Sequence, residues 1–244
     1  MRNLLVIGAH PDDETFFAGT MARYIHEGAR VAVLCGTRGE RGATADLCTI
    51  EELPKVREQE LRNSMSKIGL APGDVFFLPY EDQKLLLAPL DQVRGEIVSV
   101  IRSVRPQVVV SFDLNGGNGH PDHLAISRFA SDAIAAAADP RWYPEAGDPF
   151  SISRLLWQPL FRPWELDSTA NLAKCPGVDF VIETTPYAAA KEAAIREHRT
   201  QLPGLNHLFF ECGYPHSTVN VEVFRLALGP RPHRTPAPDL FEGL

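Results

Sequence analysis

Cysteine is scarce in this chain of 244 residues, which contains only four. The cysteines are scattered along the sequence and form no C-x-x-C pair. Buried or idle thiols in a reducing compartment are therefore the expected state of these residues. The four positions are Cys35, Cys48, Cys175 and Cys212.

Long apolar runs and an excess of positive charge are also missing. No stretch approaches the roughly 20 apolar residues that cross a bilayer, and the N-terminus lacks the sections of a signal peptide. The formal net charge of -7 argues against a nucleic-acid-binding surface. The sequence therefore predicts a cytoplasmic protein with no membrane span and no nucleic-acid partner. It leaves the formation of a homo-oligomer open.

The first half of the chain alternates strand-like apolar runs with helical patterns, which predicts an α/β fold with a mostly parallel sheet. Predicted strands cover residues 4–8, 31–35, 74–78, 108–112, 155–157, 178–182 and 219–228. Predicted helices cover 16–27, 53–68, 90–104, 122–138 and 188–199. We expect a single domain over residues 1–228, followed by a proline-rich tail, 229–244, that is extended or poorly ordered.

Two compact clusters of histidine and aspartate carry the chemistry of the sequence. They are A-H-P-D-D-E at residues 9–14 and H-P-D-H at residues 120–123, and each follows a run typical of a buried strand. Strand ends in an open α/β sheet are where ligand sites assemble. Either motif alone is more often a helix cap or a surface pair. Two together indicate a metal site and a metal-dependent hydrolase.

The spacing within the first cluster suggests a set of metal ligands. His10 and Asp13 lie three residues apart on a loop that enters a helix, so their side chains can point to one side. A catalytic zinc ion needs three protein ligands and an exchangeable water, and His123 is the predicted third ligand. The same residues suit Fe²⁺ or another divalent metal, but hydrolytic chemistry favours zinc.

The remaining residues of the two clusters are candidates for proton transfer. Asp12 is predicted to take a proton from the water that the metal activates. His120 is predicted to stabilise the developing oxyanion or to protonate the departing amine. Asp122 is predicted to hydrogen-bond to His120 and keep it protonated. Glu14 is assigned to the first turn of the helix that follows.

These strings resemble those of the LmbE-like, or PIG-L, N-deacetylases. Further similarity lies in Thr37-Arg38-Gly39-Glu40 with Gly42, in Arg57-x-x-Glu60-Leu61, in Leu78 to Asp82, and in Lys191…His198-Arg199-Thr200-Gln201. The match covers roughly residues 3 to 225. It implies the LmbE-like fold, a single Rossmann-like three-layer domain. One departure is Asn118, which stands where some sugar-thiol deacetylases carry a tyrosine.

The resemblance implies the same roles for the two clusters and adds a substrate side. In the family, the positions that match His10, Asp13 and His123 bind zinc, and the position that matches Asp12 is the general base. The positions that match Arg57 and Asp82 lie on the substrate side in the sugar-thiol branch. Arg38 is a further predicted substrate contact, because it and Arg57 would suit an anionic aglycone.

Some of these assignments have structural alternatives. Arg57 could instead pair with Glu58 or Glu60 on its own helix. His198 and Gln201 could simply pack at the end of a helix. The aromatic residues between 139 and 177 could stack on a sugar ring or cover the core. Whether residues 38–52 form a mobile lid stays open.

The expected function is zinc-dependent removal of an N-acetyl group from an N-acetylglucosamine-type sugar or glycoside, a small-molecule amino-sugar substrate. Amidase activity on sugar-thiol S-conjugates and natural-product deacylation use the same motifs, and a hydratase is a further alternative. A sugar-binding module without catalysis is disfavoured, because recognition alone requires neither the base Asp12 nor the acid His120.

Overall fold

The computed structural model describes residues 2–159, 177–211 and 219–244. In this part of the chain, strands form one sheet with the order β3-β2-β1-β4-β5-β7-β6. The first five are parallel to one another, whereas β7 runs antiparallel to both β5 and β6. The strands are β1 Asn3–Gly8, β2 Arg30–Thr37, β3 Val75–Tyr80, β4 Val108–Phe112, β5 Arg154–Gln158, β6 Phe180–Glu183 and β7 Val221–Leu228.

Helices cover both faces of this sheet and give three layers. Those described are α1 Ala18–His26, α2 Leu53–Lys67, α3 Leu90–Val104, α4 Pro121–Ala137, α5 Ala188–Glu197 and α6 Leu202–Asn206. On one face, Met21 of α1 and Leu61 of α2 join the hydrophobic core. On the other face, Ile97 of α3 and Ile126 of α4 do so. The α/β fold with a mostly parallel sheet, predicted from the alternating pattern, is confirmed.

The C-terminal segment differs from the extended or poorly ordered arm that its prolines suggested. Leu240 is fully buried and belongs to the core on the α1 side of the sheet. The buried guanidinium of Arg154 donates to the carbonyl oxygens of Pro230, Leu240 and Glu242. Proline prevents regular structure but does not prevent packing, so the segment is irregular and still part of the core. The domain boundary at residue 228 stays a prediction.

Several sequence-based expectations concern residues outside the described ranges. These are Trp164, Cys175, Cys212 and His216. Of the aromatic residues that are described, Trp157 and Tyr143 pack against the core on the α3 side. Trp142 is 42% exposed and lies beneath the guanidinium of Arg94. No helix in the described ranges has the length and apolar character needed to span a membrane.

The sheet brings the motifs of the sequence to one edge because parallel strands end on the same side. Residues 9–14 follow β1, residues 38–42 follow β2, residues 81–85 follow β3, and residues 113–123 follow β4. The carboxyl ends of parallel strands are where clefts form in such folds. All predicted site residues except Arg57 therefore come from loops and helix starts at this edge.

Candidate active site

Three donor atoms converge between the ends of β1 and β4. His123 Nε2 lies 3.2 Å from His10 Nδ1 and 3.2 Å from Asp13 Oδ1. His10 Nδ1 lies 3.8 Å from Asp13 Oδ2. Ligands about 2.0–2.1 Å from a tetrahedral zinc ion lie about 3.3 Å from one another. Asp13 thus meets His123 through Oδ1 and His10 through Oδ2, and the three side chains lie close enough together to be candidate ligands of one ion.

Hydrogen bonds to the main chain aim two of these donors. Asp13 Oδ2 accepts from the backbone N–H groups of Ala9 and His10, at 2.7 and 2.8 Å, which leaves Oδ1 free. His123 Nδ1 donates to the carbonyl oxygen of Gly116 over 3.0 Å, which leaves the lone pair of Nε2 free. Such partners fix the ring orientation and the tautomer of a metal-binding histidine.

Glycine is required beside Asp13 and beside His123. A Cβ atom at Gly8 would lie 2.9 Å from Asp13 Cβ. At Gly116, where φ is +68°, a Cβ atom would lie 2.9 Å from His123 Cβ. The ring of His123 also stacks on Phe112, with centroids 4.1 Å apart and planes 5° apart. The loop after β4 therefore fits closely around the imidazole.

Two carboxylates hold the opposite side of the His10 ring. Its Nε2 lies 3.0 Å from Asp82 Oδ1 and 3.2 Å from Asp122 Oδ2. Burial lowers the pKa of His10, but the hydrogen bonds with Asp122 and Asp82 outweigh it and raise that pKa to about 10. Burial raises the pKa of Asp82, and the hydrogen bond from His10 brings it down to about 2. Nε2 thus keeps its proton, and Nδ1 is the nitrogen that faces Asp13 and His123.

Asp122 does not have the partner that the sequence suggested. Its carboxylate accepts from the backbone N–H groups of Gln83, at 2.6 Å, and Leu85, at 3.1 Å, besides contacting His10. The link to His120 runs the other way, because the Asp122 backbone N–H donates to His120 Nδ1 over 3.2 Å. The expected carboxylate contact that would keep His120 protonated is therefore replaced by a main-chain contact.

The surroundings of His120 favour the neutral form of its imidazole. Burial lowers its pKa, and the neighbouring His10 and His123 lower it further. Because Nδ1 accepts a hydrogen bond, the ring proton is on Nε2. The ring centroid lies 4.8 Å from that of His10 and 5.0 Å from that of His123. His120 thus offers an N–H donor beside the ligand triad.

Asp12 lies on the other side of the cluster, in a strained backbone conformation. Its φ is 128° and its ψ is -23°, a region that costs a non-glycine residue about 1–3 kcal/mol. Its carboxylate is 23% exposed and lies 3.2 Å from Nη2 of Arg57. Burial raises the pKa of Asp12 to about 6, although the charge of Arg57 opposes this. A carboxylate with such a pKa can accept a proton near neutral pH.

Arg57 reaches this site from α2 and is almost fully buried. Besides Asp12, it donates to the carbonyl oxygens of Pro11 and Gly39. A Cβ atom at Gly39 or Gly42 would overlap its Nη1, so both glycines of the motif after β2 make room for the guanidinium. The alternative of an intrahelical pair is wrong. Glu58 instead pairs with Arg38 and Arg62, and Glu60 accepts from Thr200.

Arg38 is the predicted site residue that the structure does not bring into the cluster. Its Nε donates to Glu58 over 2.9 Å, and its Nη1 donates to the carbonyl oxygen of Leu78 over 3.2 Å. Its guanidinium lies 5.2 Å from the ring centroid of Phe77. The backbone of the neighbouring loop does reach the site, since the Arg41 N–H donates to Asp82 over 3.0 Å.

Sequence reasoning missed a buried pair, Glu14 and His198. Glu14 Oε1 accepts from His198 Nε2 and from Ser64 Oγ, and its Oε2 accepts from the backbone N–H of Asp12. Burial lowers the pKa of His198, but the charge of Glu14 outweighs this and raises it. The sequence offered one signal for this pair. Glu14 ends the first histidine–aspartate motif, and His198 belongs to the late motif that also resembles the family.

Comparisons with known proteins identify relatives of this chain. Residues 5–134 match the family described as PIG-L, GlcNAc-PI de-N-acetylase. A relative from Streptomyces avermitilis is 36% identical over 100% of this chain and 97% of its own length. That protein is named 1D-myo-inositol 2-acetamido-2-deoxy-alpha-D-glucopyranoside deacetylase.

Solved structures show the same fold. A conserved protein of Thermus thermophilus is 27% identical, with a TM-score of 0.69 over 94% of this chain and 96% of that one. The 4-carboxy-2-hydroxymuconate hydratase GalB of Pseudomonas putida is 20% identical, with a TM-score of 0.74 over 96% and 99%. The latter likeness concerns the fold alone. Because the family match covers more than half of the chain and the Streptomyces avermitilis relative is 36% identical over its full length, the chain belongs to the PIG-L, or LmbE-like, family of N-deacetylases.

Proposed function

We propose that this protein is a metal-dependent hydrolase that removes the N-acetyl group from an N-acetylglucosamine-type glycoside. The observation that carries the proposal is the convergence of His10, Asp13 and His123, with Asp12 and His120 beside them. Family membership and the name of the Streptomyces avermitilis relative support the reaction and the class of substrate. The relative's own glycoside is the first substrate to test.

His10 Nδ1, Asp13 Oδ1 and His123 Nε2 are the proposed ligands. Two imidazoles and one carboxylate are typical of catalytic zinc, which we propose as the metal, with Fe²⁺ as the alternative. Such an ion, when bound, supplies Lewis acidity that acidifies water and polarises a carbonyl group. Two other groups of potential ligands share His10, one with His120 and His123 and one with Asp82 and Asp122. The second uses the protonated Nε2, which is not available as a ligand.

Asp12 is the proposed general base. Its carboxylate accepts a proton from the attacking water, and the buried guanidinium of Arg57 keeps it ionised. His120 is the proposed electrophilic partner, since its Nε2–H can donate to the carbonyl oxygen of the amide as negative charge develops there. The departing amine then takes the proton that Asp12 accepted from the water, because a neutral imidazole that lost its Nε2 proton would become an imidazolate. In this scheme the Asp122 carboxylate orients His10, and the Asp122 backbone N–H orients His120.

Two of the predicted substrate contacts are almost fully buried. Arg57 and Asp82 are only 3% and 5% exposed, and both are bound to other site residues. We therefore propose that Arg57 acts mainly on Asp12 and that Asp82 acts mainly on His10. Any contact that they make with a sugar hydroxyl group uses the small exposed part of each side chain. A substrate contact by Arg38, a cytoplasmic location and a homo-oligomer stay predictions.

Acetate release by the purified protein tests the proposal. We expect turnover of N-acetylglucosamine glycosides, loss of turnover after treatment with a chelator, and recovery on addition of Zn²⁺ or Fe²⁺. A panel that includes an S-conjugate of a sugar thiol and an unsaturated acid distinguishes amidase and hydratase activity. Undiminished turnover in chelator-treated protein, or turnover of the unsaturated acid alone, would refute a metal-dependent deacetylase.

A further inference from the structure

The backbone at Asp12 is held in its unusual conformation by hydrogen bonds on both sides of the residue. The Asp12 carbonyl oxygen accepts from the N–H and the hydroxyl group of Thr15, and the Pro11 carbonyl oxygen accepts from Arg57. The N–H of Asp12 is held by one acidic side chain. Asp12 has a φ of 128°, and its N–H donates to Glu14 Oε2 over 2.9 Å. Without this hydrogen bond, the N–H of the strained peptide would have to be satisfied by water. The direction of the Asp12 carboxylate therefore depends on where Glu14 is.

Glu14 is in turn fixed by partners from distant parts of the chain. It is 2% exposed, and its Oε1 accepts from Ser64 of α2 and from His198, which directly follows α5. His198 is fully buried, and its Nδ1 has no hydrogen-bond partner among the described residues. Burying a histidine with one unsatisfied nitrogen costs free energy. The contact between its other nitrogen, Nε2, and Glu14 can explain why a histidine is present here.

We propose that His198 is a positioning residue for the general base. Its Nε2–H orients the carboxylate of Glu14, and Glu14 holds the Asp12 peptide so that the Asp12 carboxylate faces the reacting water. This inference rests on the proposed function, because it assigns His198 a role in the reaction of that same site. It gives a purpose to the late histidine motif, which lies 184 residues from Glu14 in sequence.

A purely structural role would have different consequences. The same turn of chain has a second buried link, in which Thr200 donates to Glu60 of α2 through its N–H and its hydroxyl group, at 2.8 and 2.7 Å. This link joins the same two regions of the fold but ends on a residue that does not contact Asp12. Thr200→Val removes the hydroxyl hydrogen bond, so it is the matched control for a loss of stability at this place.

The test compares His198→Gln, His198→Asn and Thr200→Val in the full-length, metal-loaded protein. The glutamine Nε2 can replace the histidine Nε2, whereas the asparagine amide is too short to reach Glu14. We expect His198→Asn to lower kcat by roughly 10- to 100-fold, as for a catalytic group displaced by about 1 Å. His198→Gln should keep kcat within about 3-fold of the wild-type value, because the glutamine Nε2 can still donate to Glu14 and hold Asp12 in place. KM and metal content should stay near wild type in both variants.

The control separates positioning from stability. Thr200→Val should lower Tm and leave kcat unchanged. If His198→Asn lowers Tm while its kcat equals that of the wild type, or if glutamine and asparagine lower kcat equally, His198 does not position the base. If His198→Asn does not fold, the question is answered by His198→Gln and Ser64→Ala. Ser64 donates to the same oxygen of Glu14 as His198 does, so its loss should also lower kcat. A wild-type protein without deacetylase activity would instead refute the proposed function, which is a distinct outcome.

Discussion

His10 Nε2 and Asp82 Oδ1 lie 3.0 Å apart, on the side of the imidazole that faces away from Asp13 and His123. A carboxylate in this position keeps the proton on Nε2 and makes Nδ1 the better electron donor. We therefore expect Asp82 to influence metal binding through its contact with His10.

Replacing Asp82 by alanine should weaken metal binding by roughly 10- to 100-fold. The reason is that His10 loses a hydrogen bond that selects the binding tautomer. Competition with a chromophoric chelator measures the change. Asp148→Ala, which removes an exposed aspartate, is the control and should bind metal as the wild type does. Equal affinities for the two variants would contradict the role of Asp82.

Metal binding should release a proton and strengthen as pH rises. In the absence of metal, the pKa of His10 is about 10, so at neutral pH its ring carries a proton that an ion must displace. The observed association constant should rise by about tenfold per pH unit from pH 6 to 9. Isothermal titration in buffers of different ionisation enthalpy counts the protons released. An affinity that does not change with pH would show that His10 is already neutral.

Asp12→Asn and Asp13→Asn should separate catalysis from metal binding. Asparagine at position 12 cannot accept the proton of water, so kcat should fall by about 10²- to 10⁴-fold while metal content stays near wild type. Asparagine at position 13 removes the charge of a ligand, and metal content itself should fall. Metal analysis and acetate release on the same preparations test both. Full activity in the Asp12 variant would refute its assignment as the base.

Gly39→Ala should disturb Asp12 through Arg57. The new methyl group would overlap Nη1 of Arg57, in a loop where φ is +67°. We expect a lower Tm and a lower kcat, because the guanidinium must move away from Asp12. Gly28→Ala is the control, since φ there is +83° and a Cβ atom meets nothing within 4 Å. It should cost about 1–2 kcal/mol of stability and leave kcat unchanged. If both variants keep wild-type kcat, Arg57 does not act on the base.

Leu240→Ala should show that the proline-rich C-terminal segment supports the core. Leu240 is fully buried, and truncating a buried leucine costs about 2–5 kcal/mol. Leu244→Ala, at a position that is 47% exposed, should have little effect. Denaturant unfolding of the two variants gives the comparison. Equal stabilities would indicate that the segment contributes nothing to the folded core.

The sequence was sufficient to predict the fold and the meeting of the two histidine–aspartate clusters. The strands before both clusters are mostly apolar runs, which is typical of a parallel sheet, and parallel strands end at one edge. His10, Asp13 and His123 could therefore be grouped without a structure. The motif after β2 could be recognised from the sequence, but the need for its glycines could not. They make room for the guanidinium of Arg57, which reaches this loop from α2.

Partner choice among the carboxylates could not be predicted in the same way. Asp122 is two residues from His120, yet its carboxylate is held by the N–H groups of Gln83 and Leu85, from a loop that no local pattern relates to it. His198 and Glu14 meet only because α5 packs beside α2 and the chain turns after it. Such contacts follow from the tertiary arrangement, and spacing along the chain carries little information about them.

The main-chain atoms that hold Asp13 and His123 have a consequence for redesign. Amide and carbonyl groups of Ala9, His10 and Gly116 orient these side chains, and a substitution by any residue other than proline leaves such groups in the chain. Redesign of this site can therefore change the surrounding side chains while the orientation of Asp13 and His123, which the main chain sets, stays in place.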